Sequence, residues 1–290
     1  MKKFNNYAAS LIFTILTAFF IIFTVFVRFA GTTVMNEKFY TDIVKSEKLT
    51  DSVLNSINKF FDDSYASSGI PAEVYLNAID KDKLESAICN KIENTILEIK
   101  GEKVSDKEVF NFSEVEKSIT NYFEAFAEEN NVDVNEKYQE QLDKTIEAAK
   151  TEIENHIDIF MLDIMDRSGV LDKAEKLYPF LTPVMIAVIS ALAVCIVILA
   201  VLNRKSIPAL FYWGAVSCLC SSVIVAVPCL ILKFSDYFNG LVIRTDYIFK
   251  SVTAVLYSMV DALLLVQIII FAAAVILFVL YAVTGRLKKS

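Results

Sequence analysis

The stretch DVNEKYQEQLDKTIEAAKTEIENHIDIFMLDIMDRSG, residues 133–169, decides the fold of this 290-residue chain. Its apolar residues recur at steps of three and four: Tyr138, Leu142, Ile146, Ala149, Ile153, Ile157, Phe160 and Ile164. This spacing puts them on one face of an α-helix and leaves charged residues on the others. Asp133 followed three residues later by Glu136 is typical of a capping box. The stretch therefore predicts one continuous helix over 133–169, about 50 Å long.

Shorter patterns with the same helical period precede this helix. Asp80 is expected to cap a helix that Gly101 ends, and Ser113 with Glu116 forms a second capping box. The helix after Ser113 carries an apolar face made of Val115, Ile119, Tyr122, Phe123 and Phe126. No segment alternates with period two for long enough to predict a sheet. These faces need partners, so we expect a helical bundle with the long helix as its inner spine.

Charge divides the chain into two unlike parts. Residues 31–179 carry 32 acidic and 17 basic side chains, a net charge of −15. The other 141 residues carry 3 acidic and 11 basic side chains, a net charge of +8. The phosphates of a nucleic acid would be repelled by the acidic part, so we expect no nucleic-acid partner.

Long apolar runs outside the acidic part predict four membrane spans. The first lies within residues 1–30, and the others lie at about 183–202, 207–232 and 263–283. Thr182 as cap and Pro183 at the first helical position mark the start of the second span. We predict an all-α protein with four transmembrane helices and a helical domain, residues 31–179, inserted between spans 1 and 2. Residues 180–290 hold spans 2–4 and a short tail.

The orientation follows from basic residues in the short segments between spans. These are Lys2, Lys3, Arg204, Lys205, Arg286, Lys288 and Lys289, with no acidic residue among them. The positive-inside rule puts such residues in the cytoplasm. We therefore expect a multi-pass protein of the plasma-membrane bilayer, with cytoplasmic termini and with residues 31–179 extracellular.

Two polar residues near the fourth span are candidates for function, Asp261 and Gln267. Charged groups inside membranes are costly and often functional. Asp261 lies roughly 35 Å of helical rise from Thr284, which places it near the outer interface, within reach of water or Arg244. A pore or proton-transfer role for Asp261 is one alternative, and a solvated interfacial carboxylate is the other.

No convergent catalytic set is recognisable in the sequence. His156 is the only histidine, and we expect it on the surface of the long helix. A zinc or catalytic site would need further histidine or cysteine partners. We therefore expect a non-enzymatic protein with no metal and no cofactor.

Small residues recur every four positions in the third span, at Gly214, Cys218, Ser222 and Ala226. Such a face lets another helix approach closely. A similar stripe, Ala187, Ala191 and Cys195, lies in the second span. We expect the two stripes to pack together as a hairpin, and a dimer interface is the alternative.

Phe39-Tyr40 after Asn36, then Ile70-Pro71 and Gly101, resemble the layout of a group of uncharacterised bacterial four-span membrane proteins. In that group a Phe-Tyr pair just after the first span opens a helical ectodomain. The topology is also similar to that of four-span permease subunits, which work with ATP-driven motors and transmit force to an outside domain. The ectodomains of those subunits mix strands with helices.

Two functional hypotheses follow. The first is a binding, sensing or assembly role carried by residues 31–179 toward a protein partner or an extracellular ligand. The second is a transporter or force-transmitting permease-like subunit, in which Asp261, Gln267 and the small-residue faces would act. The sequence specifies neither the ligand nor the oligomeric state.

Overall fold

The computed structural model describes residues 2–104 and 110–287, so Lys288 and Lys289 of the orientation argument lie outside it. Regular structure in the described ranges is entirely helical, with no β-strand, which confirms the all-α class. The described α-helices are α1 (Lys2–Phe29), α2 (Glu37–Ser46), α3 (Leu49–Ser68), α4 (Ala72–Leu76), α5 (Lys81–Ile99), α6 (Ser113–Asn130), α7 (Glu136–Ile157), α8 (Leu162–Arg167), α9 (Val170–Leu202), α10 (Ile207–Phe234) and α11 (Asp246–Leu287).

The chain forms two compact units. We call the first the apolar unit; it contains Met1–Asn36, Lys176–Gly240 and Leu256–Ser290. We call the second the acidic unit; it contains Glu37–Glu175 and Leu241–Val255. Leu241–Val255 lies outside the predicted domain 31–179, so the acidic unit takes a segment from the far end of the sequence.

Four of the described helical segments are long and apolar enough to cross a membrane. They are Tyr7–Val34, Val170–Leu202, Ile207–Phe234 and Asp246–Arg286. The first consists of α1 followed by one π-helical segment, Ala30–Val34. These segments are consistent with a multi-pass membrane protein.

Two of these helices are longer than the predicted spans. The helix α9 begins at Val170 and contains both Pro179 and Pro183, whereas the sequence predicts that a new helix starts at Pro183. A proline removes one backbone hydrogen bond, but the turns on both sides keep theirs, so the helix continues. The helix α11 begins at Asp246, well before residue 263.

The core of the acidic unit is built from the apolar faces that the helical period predicts. Five of these apolar side chains are 0% exposed: Val53, Ile57, Leu84, Ile88 and Ile119. Burying such a side chain contributes about 1.5–3 kcal/mol. Packing of helical faces therefore holds this unit together, as expected for a bundle.

The predicted continuous helix over 133–169 is wrong. The helix α7 ends at Ile157, and α8 begins at Leu162. The Asp158 carboxylate accepts the backbone N–H groups of Leu162 at 2.7 Å and Asp163 at 2.9 Å, and so caps α8. Met161 has a left-handed backbone, with φ of 57°, which breaks the helical path.

The break shifts the register of the side chains that follow it. Ile159 is 1% exposed, although a continuous helix would turn it away from the stripe. Ile164, a member of that stripe, is 55% exposed. The predicted start is also corrected, because Asn135 rather than Asp133 caps α7 by accepting the backbone N–H of Tyr138.

Candidate functional site

The end of α3 meets the pair α6 and α7 in the acidic unit. Gly69, with φ of 70°, ends α3 in the left-handed region, where a glycine has no side-chain clash. Asn131 ends α6 in the same conformation, and Asn135 caps α7 after a short loop. The end of α3, the end of α6 and the start of α7 therefore lie close together.

An aromatic groove lies where these helices meet. We define it by Gly69, Tyr122, Phe123, Phe126 and Tyr138, which line a cavity of about 270 Å³. The Phe123 and Tyr138 rings are edge to face, with centroids 5.5 Å apart. The Tyr122 and Phe126 rings are stacked, with centroids 6.5 Å apart. The side chains that complete the lining are Ser67, Ser68, Ile70, Gln141 and Thr145.

Hydrogen bonds to the backbone fix the two tyrosines of the groove. Tyr122 donates its hydroxyl proton to the carbonyl oxygen of Gly69 at 2.9 Å. Tyr138 donates its own to the carbonyl oxygen of Phe123 at 2.6 Å. Partial burial, with Tyr65 and Tyr138 nearby, raises the pKa of the Tyr122 phenol, so it stays neutral at physiological pH. The groove is thus held in shape before any ligand arrives.

The spacing of the apolar residues predicts that this face of α6 lies in the core. That holds for Val115 and Ile119, which are 1% and 0% exposed. Phe126, on the same face, is 46% exposed, because the face extends beyond the packed part of the bundle. The concave shape went unrecognised, since it depends on the end of α3, which is distant in sequence.

His156 is buried, and the prediction of a surface histidine is wrong. It is 6% exposed, with Nε2 3.2 Å from Ser56 Oγ and Nδ1 2.8 Å from the carbonyl oxygen of Glu152. Its ring stacks on Tyr247, with centroids 4.9 Å apart. Ser56 and Tyr247 are far from His156 in sequence, so local pattern gave no signal of burial. Its contacts are therefore hydrogen bonds to Ser56 and Glu152 together with ring stacking.

Asp261 pairs with a residue that the sequence analysis did not consider. Its Oδ1 atom accepts a hydrogen bond from Lys233 Nζ at 2.5 Å, and the two side chains are 52% and 41% exposed. The sequence predicts water or Arg244 within its reach instead.

Gln267 lies inside the apolar unit and is 2% exposed. Neither its Nε2 nor its Oε1 atom has a hydrogen-bond partner among the described residues. Its backbone carbonyl oxygen accepts a hydrogen bond from Ser222 Oγ at 3.0 Å. A buried amide without partners costs free energy, so Gln267 is the polar side chain of this unit that most needs an explanation.

The small-residue face of α10 lies against α11. A side-chain carbon added at Gly214 would contact Leu277 at 3.5 Å, and Ser222 bonds to Gln267. Cys218 and Ala226 are half-buried on the same face. Gly214 and Ser222 of this stripe thus contact α11, and the hairpin of spans 2 and 3 stays a prediction.

Hydroxyl groups join α1 to other helices of the apolar unit. Ser217 Oγ donates to the carbonyl oxygen of Thr14 at 3.1 Å, and Asn203 Nδ2 donates to Ser10 Oγ at 3.1 Å. Ser10, Thr14 and Ser217 are each at most 3% exposed. Small hydroxyl side chains allow this close approach.

No protein-family model, curated protein sequence or solved structure matches this chain. The geometry of the described residues is therefore the basis for a functional proposal.

Proposed function

We propose that this chain is an integral plasma-membrane protein that binds a partner outside the cell through its acidic helical domain. Residues 31–179 form that domain, between spans 1 and 2, and both termini lie in the cytoplasm. The role is one of binding, sensing or assembly, without catalysis. The resemblance to bacterial four-span proteins with a helical ectodomain fits this proposal.

The charge distribution supports the proposed orientation. All charged residues of the short segments 203–205 and 285–290 are basic. Residues 31–179, in contrast, have a net charge of −15. Short basic segments are retained in the cytoplasm, and a long domain is translocated largely regardless of its charge.

The single observation that carries the binding role is the aromatic groove. It combines part-exposed rings with hydroxyl groups in a preformed cavity, and such cavities are the usual ligand sites of proteins. Phe126 is 46% exposed, whereas Val115 and Ile119 on the same helix are buried, and an exposed aromatic side chain beside a cavity is typical of a binding surface.

Site-specific photo-crosslinking in the native membrane tests the proposal. A photo-reactive phenylalanine analogue at Phe126 is expected to form an adduct with a partner, and the adduct is expected to disappear when Tyr122 is replaced by Ala. The same analogue at Glu154, an exposed position of α7 outside the groove, is the matched control. Equal adducts from both positions, or an unchanged cellular phenotype after deletion of residues 35–178, would overturn the proposal.

The unpartnered amide of Gln267 favours the transporter or force-transmitting subunit as a second candidate. Buried polar groups in membrane helices often serve a moving helix or a transported group. Purification of the native complex tests this. The second candidate is supported if an ATPase co-purifies with the chain and its activity no longer depends on the chain in Gln267→Met. The control variant Asp143→Asn is expected to keep that dependence. Absence of such a partner counts against it.

A further inference from the structure

We propose that the aromatic groove binds the guanidinium group of an arginine side chain on a partner polypeptide. This inference rests on the proposed binding function and specifies the chemistry of its ligand. It follows from the hydrogen-bonding state of the groove, its electrostatics, its rings and its size.

Four of the five hydroxyl groups that line the groove have already committed their protons, and the fifth, on Ser68, accepts the backbone N–H of Ile70 at 3.2 Å and keeps its own proton. Tyr122 and Tyr138 donate to backbone carbonyl oxygens, as described above. Ser67 donates to the carbonyl oxygen of Ser64 at 2.9 Å, and Thr145 donates to that of Gln141 at 2.8 Å. A hydroxyl group has one proton and two lone pairs, so these four oxygens can only accept hydrogen bonds from a ligand.

A lining of acceptors selects a ligand rich in donors. A guanidinium group has five N–H donors and no acceptor, which complements the four committed hydroxyl oxygens. A carboxylate or phosphate has acceptors alone, and the side-chain donors that line the groove are the Gln141 amide and the Ser68 hydroxyl, fewer than the acceptor oxygens. The hydrogen-bonding pattern thus favours a cation before charge is considered.

Two helix carboxyl ends and one amino end, that of α7 with Tyr138 in its first turn, lie at the groove, so the negative ends outnumber the positive one. The helix α3 ends at Ser68, on the groove wall, and Phe126 directly precedes the last turn of α6. The carboxyl end of a helix carries partial negative charge and favours cations. Neither helix has a basic residue in its last turn. The cation that these two ends favour must therefore come from elsewhere.

Side-chain charge acts in the same direction. Residues 113–145, which span α6, the loop and the start of α7, contain nine acidic and three basic side chains, a net charge of −6. One of the three bases, Lys144, is paired with Glu140 at 2.7 Å. The surroundings of the groove therefore attract a positively charged partner and repel acidic polymers.

The rings and the size of the cavity point to arginine in a polypeptide. A cation is attracted to the face of an aromatic ring, and the planar guanidinium group stacks on such a face more readily than an ammonium group does. A cavity of about 270 Å³ is below the usual range for a drug-sized ligand. It suits one long side chain, which a partner protein would insert.

Ligand-observed saturation-transfer NMR tests the inference on the full-length protein in nanodiscs of zwitterionic phosphatidylcholine. The probe is a short neutral-ended peptide with one arginine among glycine and serine residues. The matched control peptide has citrulline, which keeps the shape but lacks the charge. We expect the arginine peptide to bind at least about tenfold more tightly than the citrulline peptide, because a charge-assisted bond is about twice as strong as a neutral one.

Variants locate the site. Phe126→Ala is expected to weaken arginine-peptide binding about fivefold, the usual effect of one cation–π contact. The matched control is Phe60→Ala, which removes an equally exposed phenylalanine, 40% exposed, from α3 outside the groove. Circular dichroism and thermal unfolding check that both variants fold. An equal loss in both variants would overturn the assignment to the groove.

Other outcomes separate this inference from the proposed function. Equal affinity for the arginine and citrulline peptides, no saturation transfer to either, or binding of a neutral trisaccharide or a free polyamine in place of the peptide would overturn the arginine assignment. If photo-crosslinking at Phe126 still succeeds in any of these cases, the proposed binding function stands. If crosslinking fails as well, both fall.

Discussion

Gln267 illustrates at the scale of one residue how a buried polar group becomes informative. An amide removed from water without partners costs about 1–3 kcal/mol. Membrane-helix packing alone gives no reason to keep such a cost, because an apolar side chain of the same length would fill the same space. A functional contact that is made only in another state, as in the second candidate function, would give one.

Replacement of Gln267 by Met is predicted to raise the thermal unfolding temperature of the full chain in detergent micelles. Methionine has nearly the same length and volume, so it removes the unpaired amide without opening a cavity. Ser222→Ala, which deletes the hydrogen bond to the Gln267 carbonyl oxygen, is the control and is expected to lower the temperature. A lower unfolding temperature in Gln267→Met would contradict the prediction.

Glu37 and Lys100 link the start of α2 to the end of α5, with Oε2 and Nζ 2.8 Å apart. The Lys100 hydrogen bond holds the pKa of the Glu37 carboxyl below its ordinary value of 4.5. A lowered folded-state pKa means that the pair stabilises the protein above pH 4.5 and that this contribution is lost as pH falls through the folded-state value.

Glu37→Gln is therefore predicted to lower stability at pH 7 and to have a smaller effect at pH 3. Denaturant unfolding of the full chain in micelles at the two pH values measures this difference. Glu128→Gln, on an exposed turn of α6, serves as the comparison and should change little at either pH. An effect of Glu37→Gln that grows as the pH falls would show that the sign is wrong.

At the scale of elements, the break between α7 and α8 depends on one side chain. Asp158 caps α8 with two hydrogen bonds and is 8% exposed. Loss of a helix cap costs about 0.5–2 kcal/mol. The connection between the two helices is thus a defined turn with its own stabilisation.

Asp158→Ala is predicted to lower stability by about 1–2 kcal/mol and to speed hydrogen exchange at the amides of Leu162 and Asp163. Asp158→Asn keeps one acceptor and should have a smaller effect. Asp143→Ala, at an exposed position inside α7, controls for the general loss of a carboxylate. Unchanged exchange at both amides would show that the cap does not hold α8.

Helix faces were predictable and helix ends were not. The apolar period depends only on residues that are close in sequence, so the prediction that Val115, Ile119 and Ile153 lie in the core is confirmed. The end of α7 was missed because the apolar period continues through Asp158, while the turn is set by the Asp158 cap on α8 and lets Ile159 pack into the core. At Pro183 the sequence predicts a helix start, but the residue lies inside α9. A proline is compatible with either position, so it does not by itself mark a helix end.

At the scale of the whole molecule, the aromatic groove could not be predicted from the sequence. Its parts were visible as rings on α6 and α7, but Tyr122 and Gly69 are 53 residues apart. The class of the chain was predictable because hydropathy and charge are properties of long segments. The site depends on single long-range contacts, which composition does not contain.

The proposed topology gives a prediction for the whole chain. In a cysteine-free background, Glu129→Cys is expected to react with a membrane-impermeant maleimide in intact cells, and Arg204→Cys only after permeabilisation. Glu129 lies in the acidic unit and Arg204 in the basic turn between α9 and α10. Labelling in the reverse order would overturn the proposed orientation.

The hydrogen bond between Thr14 and Ser217 has a consequence for the biosynthesis of the chain. The two residues are 203 positions apart. A ribosome adds about 5–20 residues per second, so α1 is complete about 10–40 seconds before its partner helix α10 exists. Thr14, Thr17 and Thr24 meanwhile donate to carbonyl oxygens of α1 itself, at 2.7, 2.7 and 2.8 Å. The first helix thus keeps its own three threonine hydroxyls satisfied during that interval, before α10 is made.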